Sequence, residues 1–185
     1  LSSVVFYCIK INLFKFRTRF VFLNARIIRF PFRVRGRKLI KVGKGFTTGF
    51  NCRIDDYTES NKEIVINIGN NVQINDYVHI GAVESIEIGD NVLIASKVFI
   101  TDHNHGNYSG QNQDTPYSVP EERLIHSKPV VIEKNVWIGE FVSILPGVSI
   151  GEGSIIGTMS VVNKNIPPYS IAVGSPAKVI KKYTG

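Results

Sequence analysis

The chain has 185 residues, a formal net charge of +7 and an apolar content of 43%. This length suffices for one domain with a buried core, and with no run of about 18 apolar residues a membrane-spanning helix is not expected. The start shows no secretory pattern. The two cysteines, Cys8 and Cys52, fit neither a metal-binding spacing nor a disulfide framework, so we expect free thiols in a reducing cytoplasm.

The N-terminal segment, residues 1–38, is basic and is predicted to be helical. The first 44 residues hold twelve of the 22 Lys and Arg residues and no acid. Apolar residues recur at three- or four-residue steps and predict one or two amphipathic helices ending before Pro31: Phe6, Ile9, Leu13, Phe16, Phe20, Leu23, Ile27 and Phe30. Such a segment either lies on an anionic membrane surface or packs on the first coil or a neighbouring subunit. The net positive charge comes from these first 44 residues, because the rest of the chain holds ten Lys and Arg against fifteen Asp and Glu, so binding to nucleic acid is not expected.

From residue 39 to 168 the dominant feature is a six-residue repeat. One track of branched apolar residues runs through Ile132, Ile138, Ile144, Ile150, Ile156 and Val162, and a second lies two residues earlier in each hexad. Upstream blocks repeat both tracks around Ile68 and Ile88. A period of six scatters around a helix, whereas two residues that are two apart share one face of a strand. Each hexad therefore predicts a short strand and a turn. Glycine after the strand permits a positive φ, and asparagine in the same region, as at Asn71 and Asn91, does so less well.

The repeat is interrupted twice. The step between Val78 and Ile86 is eight, an insertion of two residues, and the repeat disappears between Ile100 and Val130. The second gap, residues 101–129, predicts a long loop, and long loops on regular scaffolds commonly carry function.

Three segments are the most specific parts of the sequence: IGDNVLIASKVFITDHNHG (88–106), VVIEKNVWIGEFVSILPGVSIGEGSIIG (130–157) and IPPYSIAVGSPAKVIKK (166–182). In this order they resemble the hexapeptide-repeat acyltransferases, specifically the galactoside/maltose O-acetyltransferase branch and its relatives in surface-polysaccharide synthesis. The resemblance implies an all-β fold, a left-handed parallel β-helix closed by a C-terminal segment at 169–185. It also implies a homotrimer with active sites between subunits and transfer of an acetyl group from acetyl-CoA to a sugar or glycan acceptor.

The resemblance assigns candidate residues to the acceptor side of the site. His105 falls on the catalytic histidine of the family, and an imidazole has a pKa suited to a general base. His103 is the alternative base, and Asp102 either orients an imidazole or caps a turn. Asn75 and Glu84 fall on or near positions that bind the acceptor.

Candidates for binding acetyl-CoA come from the later coils and the closing segment. The backbone N–H of Glu140 is the expected oxyanion donor, and Trp137 either walls the pantetheine arm or packs at a coil edge. Lysines suit the CoA phosphates. The candidates on this side are Trp137, Glu140, Thr158, Ser160, Lys164, Lys178 and Lys181, with Lys182 beside them.

The sequence leaves other functions open. An N-acetyltransferase acting on an amino sugar, or one that modifies an antibiotic, would share these motifs, and a non-catalytic β-helix scaffold would share the repeat. A zinc carbonic anhydrase on this fold needs three histidines on adjacent coils, and the spacing of His79, His103 and His105 does not predict one, so no metal is expected. The expected location is cytoplasmic, with the inner face of the membrane suited to lipid-linked glycans.

Overall fold

The computed structural model describes residues 3–58, 64–108 and 110–184, with side chains from Cys8 onward. One α-helix, α1 (Ser3–Val21), precedes the strands, and short 3₁₀ turns span Arg37–Leu39 and Pro120–Glu122. The first ten strands are β1 (Phe32–Arg35), β2 (Ile40–Val42), β3 (Thr47–Thr48), β4 (Cys52–Asp56), β5 (Ile66–Ile68), β6 (Gln73–Ile74), β7 (His79–Ala82), β8 (Ile86–Ile88), β9 (Leu93–Ile94) and β10 (Phe99–Thr101). The other ten are β11 (His103–His105), β12 (Ile125–Ser127), β13 (Val130–Ile132), β14 (Trp137–Ile138), β15 (Ser143–Ile144), β16 (Ser149–Ile150), β17 (Ile155–Ile156), β18 (Val161–Val162), β19 (Ser170–Val173) and β20 (Lys178–Lys182).

The strands form three parallel sheets that the chain visits in turn. The first sheet is β1-β4-β7-β10-β15-β18, the second is β2-β5-β8-β13-β16, and the third is β3-β6-β9-β14-β17-β19, which β20 extends by antiparallel pairing. This is the predicted left-handed parallel β-helix. Pairing begins at Phe32 in β1, with an isolated bridge from Ile27 to Thr47, so the stack of coils starts before residue 39.

Both predicted apolar tracks point inward. Ile132, Ile138, Ile144, Ile150 and Ile156 are at most 1% exposed, and the Val track two residues earlier is equally buried. Each fully buried branched side chain stabilises the fold by roughly 1.5–3 kcal/mol. The inward-facing side chains of the stacked coils therefore form the hydrophobic core.

The glycines that follow the strands have a different role from the one predicted. Gly69, Gly89, Gly139 and Gly151 do not have positive φ; instead, a Cβ on each would lie within 3 Å of backbone atoms of the next coil. Positive φ is found at turn residues such as Asn71, whose side chain hydrogen-bonds the stacked Asn91. The expectation of positive φ at these glycines was wrong, because close packing of coils is what requires them.

Helix α1 is apolar on two opposite faces. Phe14 and Thr18 are buried on one face and pack towards the first coil, where the Phe14 ring lies 5.9 Å from that of Phe50. Part of the predicted stripe points away from the coils, with Ile9, Leu13, Phe16 and Phe20 all more than half exposed. The expectation of helix up to Pro31 was wrong: α1 ends at Val21, and Ile27 beyond it is buried in the first coil. The side chain of Phe6, predicted as part of this stripe, lies outside the described residues. No helix in the described part of the chain is both long and apolar enough to cross a membrane.

Candidate active site

The corner between the first and second sheets is built around a buried carboxylate. Asp102, just after β10, is completely buried and accepts hydrogen bonds from the backbone N–H groups of Val83, Glu84 and Ser85 at 2.7–3.1 Å. These three residues connect β7 to β8 and contain the two-residue insertion. The predicted interruption thus wraps around Asp102, which caps a turn, one of its two predicted roles.

Asp102 also orients a histidine, its other predicted role. Its Oδ1 lies 2.9 Å from Nδ1 of His103, and the Oγ1 of Thr101 lies 3.2 Å from the same nitrogen. The His103 side chain is only 16% exposed. The Asp102 carboxylate therefore fixes the imidazole of His103, whereas among the described residues no hydrogen bond or ion pair is found for the imidazole of His105.

The predicted loop at 101–129 contains a two-stranded arm. β11 and β12 pair antiparallel, with His103 opposite Ser127 and His105 opposite Ile125. Because side chains alternate along a strand, His103 and His105 share one face. They line a cavity of about 560 Å³ together with Tyr57, Val83 and Ile125, a volume in the range of small-molecule sites.

Side chains further along the arm hold its strand β11. The hydroxyl of Tyr108 donates to the carbonyl of His105 at 2.6 Å, and Arg123 donates to that hydroxyl at 2.6 Å and to Ser118 at 2.5–2.9 Å. The side chain of His105 itself is exposed. A solvent-facing imidazole on a braced strand is open to a substrate.

A polar cluster on the outer face of the first sheet adjoins this cavity, and sequence reasoning missed it. The Nε of Arg53 lies 2.7 Å from Oδ2 of Asp55 in an ion pair whose N–H direction does not suit a hydrogen bond. Arg53 also contacts the ring of His79 at 2.8 Å, and Tyr57 donates to Asp55 at 3.1 Å. Burial and the nearby Arg53 lower the pKa of His79; burial and the bond to Asp55 raise the pKa of Tyr57.

This cluster brings His79 next to the predicted site. Gly81 is flanked by both imidazoles: a Cβ there would lie 3.4 Å from Nε2 of His79 and 3.8 Å from Cε1 of His103. The sequence had His79 separate from His103, since the register that stacks β7 under β10 was not evident. Within the described residues, no group of three His, Cys, Asp or Glu is arranged to hold a metal ion.

The two predicted acceptor residues lie at different corners. Glu84 is in the connection around Asp102, beside the histidines. Asn75 is at the corner between the third and first sheets, where its N–H donates to Ile94 and its carbonyl accepts from the thiol of Cys52. A single chain therefore does not bring Asn75 to His105.

Most of the predicted CoA residues lie on or beside the third sheet. Trp137 is half exposed on its outer face, stacked between Leu93 and Ile155, and Ile171 of the next strand pairs with Lys181. Lys178 and Lys182 are exposed on the same strand, β20. The outer face of the third sheet thus carries a row of apolar side chains, with the lysines of β20 along its edge.

The remaining residues predicted to bind CoA lie at several different places in the fold. The registers stack Glu140 on Thr158 at the corner that holds Asn75, and in the described structure no acceptor is found for the N–H of Glu140, nor for those of Ser96 and Thr158. Ser160 is fully buried; its hydroxyl donates to Gly157 and accepts from Gly174. Lys164 is exposed after β18, at the corner between the first and second sheets, apart from the other lysines.

The coils and their corner site define a hexapeptide-repeat acyltransferase, and comparison with known proteins agrees. Residues 129–164 match the family described as bacterial transferase hexapeptide (six repeats). The "Putative lipopolysaccharide biosynthesis O-acetyl transferase WbbJ" of Escherichia coli (strain K12) is 47% identical over 167 residues, which cover 90% of this chain and 83% of that protein. The chain belongs to this family and is an acetyltransferase of the hexapeptide type, which confirms the resemblance seen in its sequence.

Shorter and more distant likenesses point the same way. The "Putative acetyltransferase C18B11.09c" of Schizosaccharomyces pombe is 63% identical over 54 residues, which cover 29% of this chain and 26% of that protein. A mutant of AntD, an N-acyltransferase from Bacillus cereus solved with dTDP-4-amino-4,6-dideoxyglucose and coenzyme A, has a TM-score of 0.73 at 23% identity. The match covers 92% of this chain and 89% of AntD, and it establishes a shared fold.

Proposed function

We propose that this acetyltransferase moves the acetyl group of acetyl-CoA directly onto a hydroxyl of a sugar or surface-glycan intermediate, in a ternary complex. The observation that carries this proposal is the pair of imidazoles facing one cavity of about 560 Å³. A hydroxyl acceptor is further supported by the likeness to the 47% identical relative, which is named as a putative lipopolysaccharide biosynthesis O-acetyl transferase.

We assign the general base to His105. Its side chain is exposed in the cavity, where an acceptor hydroxyl can reach it, whereas His103 is largely buried against Asp102. The imidazole takes the hydroxyl proton as the oxygen attacks the thioester carbon. The tetrahedral intermediate then expels the CoA thiolate, which receives that proton. In this assignment His103 and Asp102 are positioning residues that hold the start of β11.

The co-substrate fits the outer face of the third sheet. Trp137 and its apolar neighbours offer a surface to the pantetheine arm, and Lys178 and Lys181 offer cations to the phosphates. The N–H of Glu140, which has no acceptor among the described residues, supports the assignment of an oxyanion donor at this corner. Thr158 stacks on Glu140 and completes this side.

A homotrimer would complete the site. His105 and Asn75 lie at different corners of one triangular coil. A threefold arrangement that sets one corner against another would bring the histidines of one subunit to Asn75 and Glu140 of the next. This geometry supports the predicted trimer with shared active sites.

The reaction is tested by measuring acetyl-CoA consumption with monosaccharides, nucleotide sugars and lipid-linked glycans as acceptors. We expect turnover on a hydroxyl; turnover only on amino sugars would replace the proposal with N-acetylation. His105→Ala should lose roughly 10²–10⁴-fold in kcat while still binding CoA. His126→Ala is the matched control, because His126 lies on the opposite face of the same arm. If His103→Ala lost all activity while His105→Ala stayed active, His103 would be the general base and His105 would not.

We also propose that α1 rests on the anionic inner face of the cytoplasmic membrane. The exposed stripe runs from Ile9 through Leu13, Phe16 and Phe20, and at 3.6 residues per turn it is bordered by Lys10 and Arg17 on one side and Lys15 and Arg19 on the other. A second copy of so basic a segment would be repelled, whereas anionic lipid complements both its charge and its apolar stripe.

Co-sedimentation with vesicles tests this contact. The protein should bind phosphatidylcholine vesicles containing phosphatidylglycerol and not phosphatidylcholine alone. Phe16→Ala combined with Phe20→Ala should abolish binding, whereas Leu124→Ala, an equally exposed apolar residue on the arm, should not. If the double variant instead changes only the oligomeric state, the stripe is a contact between subunits.

A further inference from the structure

We propose that the acceptor carries a phosphate or diphosphate on its anomeric carbon, and that Arg33 and Arg53 bind this group. The proposal rests on the proposed function and specifies its acceptor class as an activated sugar rather than a free one. The carrier beyond the phosphate, nucleoside or polyprenyl lipid, would leave this chemistry unchanged.

The two arginines stack in a cleft. Arg33 of β1 and Arg53 of β4 are partners in the parallel register, and Arg53 is in turn the partner of His79. Their side chains project from the outer face of the first sheet, where neighbouring strands are roughly 4.8 Å apart. With Pro31, Asn51 and Tyr77 they line a cleft of about 370 Å³, which is concave enough to enclose a phosphate group.

The residues that line the cleft carry two guanidinium groups and no carboxylate. The single carboxylate of Asp55 is shared by Arg53, by His79 at 3.4 Å and by the Tyr57 hydroxyl. The ion pairs found among the described residues do not include Arg33. Like charges on directly paired strand residues destabilise a sheet, and a bound anion would remove that repulsion. Two guanidinium groups side by side match the oxygens of a phosphate, which they can bind in a bidentate way.

The cleft is placed at a suitable distance from the histidines. His79 lines the cleft and also faces His103 across Gly81. Along the strand, the row of Arg53 and His79 is two residues from Gly81, roughly 7 Å. That separation matches one pyranose ring with its anomeric oxygen, so a phosphate in the cleft would leave a ring hydroxyl near the imidazoles.

The cleft also opens near α1. Asn51, which lines it, follows Phe50, whose ring packs on Phe14 of the helix. The proposed membrane contact would therefore bring this cleft close to a lipid surface. This placement gives a reason to include lipid-linked acceptors beside nucleotide-linked ones in the experiment.

The test compares acceptors that differ only in the anomeric group: a methyl glycoside, the glycosyl 1-phosphate, the nucleoside diphosphate sugar and the polyprenyl diphosphate sugar in vesicles. The native protein should prefer the phosphorylated forms. Charge-assisted hydrogen bonds contribute about 1.5–3 kcal/mol, so Arg33→Ala should reduce the preference in kcat/KM by roughly 10- to 150-fold, with Arg33→Lys partly restoring it. Lys41→Ala removes an exposed cation from the second sheet and should keep the preference.

Three outcomes would overturn the proposal: equal use of the methyl glycoside and its phosphate, equal losses on both in Arg33→Ala, or a rise in KM for acetyl-CoA alone, which would place CoA in the cleft. Calorimetric binding of inorganic pyrophosphate separates this inference from the transfer reaction. Pyrophosphate binding that Arg33→Ala abolishes would support the cleft even if no acceptor were acetylated, and no binding would refute it.

Discussion

Oδ1 of the buried Asp102 carboxylate lies 2.9 Å from Nδ1 of His103, and the same carboxylate accepts three backbone N–H groups from residues 83–85. One side chain thus ties the arm to the neighbouring coil. The position of the His103 imidazole and the path of the connection at residues 83–85 consequently depend on the same carboxylate.

Replacing this carboxylate should affect both stability and activity. Asp102→Asn keeps one acceptor oxygen but loses the charge, and we expect a loss of about 1–3 kcal/mol in the free energy of unfolding with a fall in kcat. Urea denaturation and the acetyl transfer assay measure the two effects. Asp90→Asn is the control, because Asp90 accepts a backbone N–H from Asn70 at another corner. If both variants lose activity equally, Asp102 has no specific role at the site.

Stability should decrease on acidification because of His79. Its pKa in the folded state is lowered below the ordinary value of 6.5, first by burial and then by Arg53. Near that pH the unfolded chain binds more protons than the folded chain, so the free energy of unfolding rises with pH through this window and falls as the pH drops. His79→Gln should flatten the dependence between pH 7 and the lowered pKa, as followed by thermal melting; an unchanged slope would contradict the assignment.

The two cysteines should differ sharply in reactivity. Burial raises the pKa of Cys52 to about 11, and its Sγ lies 2.9 Å from the carbonyl of Asn75, whereas Cys8 is exposed on α1. Because the thiolate is the reactive form, a thiol reagent at pH 8 should label one site in the native protein and two after denaturation. Cys8→Ser should remove the native labelling. Rapid labelling of Cys52 in the native protein would mean that the first coil opens readily.

The coil stack should be sensitive to a methyl group at its close approaches. A Cβ at Gly89 would lie 2.6 Å from the backbone nitrogen of Lys134, and overpacking of this kind costs about 1–3 kcal/mol. Gly89→Ala should therefore lower the midpoint of urea denaturation. Glu87→Ala, on the exposed face of the same strand β8, should have little effect. Equal stability of the two variants would indicate that the coils can separate locally.

Arg123 should influence binding of the acceptor rather than the fold. It donates a hydrogen bond to Tyr108, which in turn donates one to the carbonyl of His105. Within the described residues, the hydrogen bonds of Arg123 all lie inside the arm. Arg123→Ala should raise the KM for the acceptor more than it lowers the melting temperature. A drop in melting temperature with normal kinetics would assign it a structural role instead.

The periodic part of the fold was predictable because every inward position obeys a local rule. Ile132, Ile138 and Ile144 needed only their spacing to be recognised as core. The neighbours of His103 could not be found in this way, since Arg53 and His79 are 26 residues apart and meet only through the register of β4 and β7. Their equivalent place in consecutive coils of the first sheet was the available signal.

The helix illustrates a different limit. The spacing of Ile9, Leu13 and Phe16 identified an apolar stripe, but a second apolar face around Phe14 is the one that packs on the coils. When both faces of a helix are apolar, periodicity does not decide which one is buried; the shape of the first coil does.

The arm leaves the coils after Thr101 and returns at Val130, and Val130 pairs with Ile86 as though nothing had been inserted. The pairing of consecutive coils therefore does not depend on how many residues the chain inserts between them. A descendant of this protein could change the length or sequence of the arm, and so bind a new acceptor, without altering the packing of its core. In this architecture, the choice of substrate can evolve separately from the ability to fold.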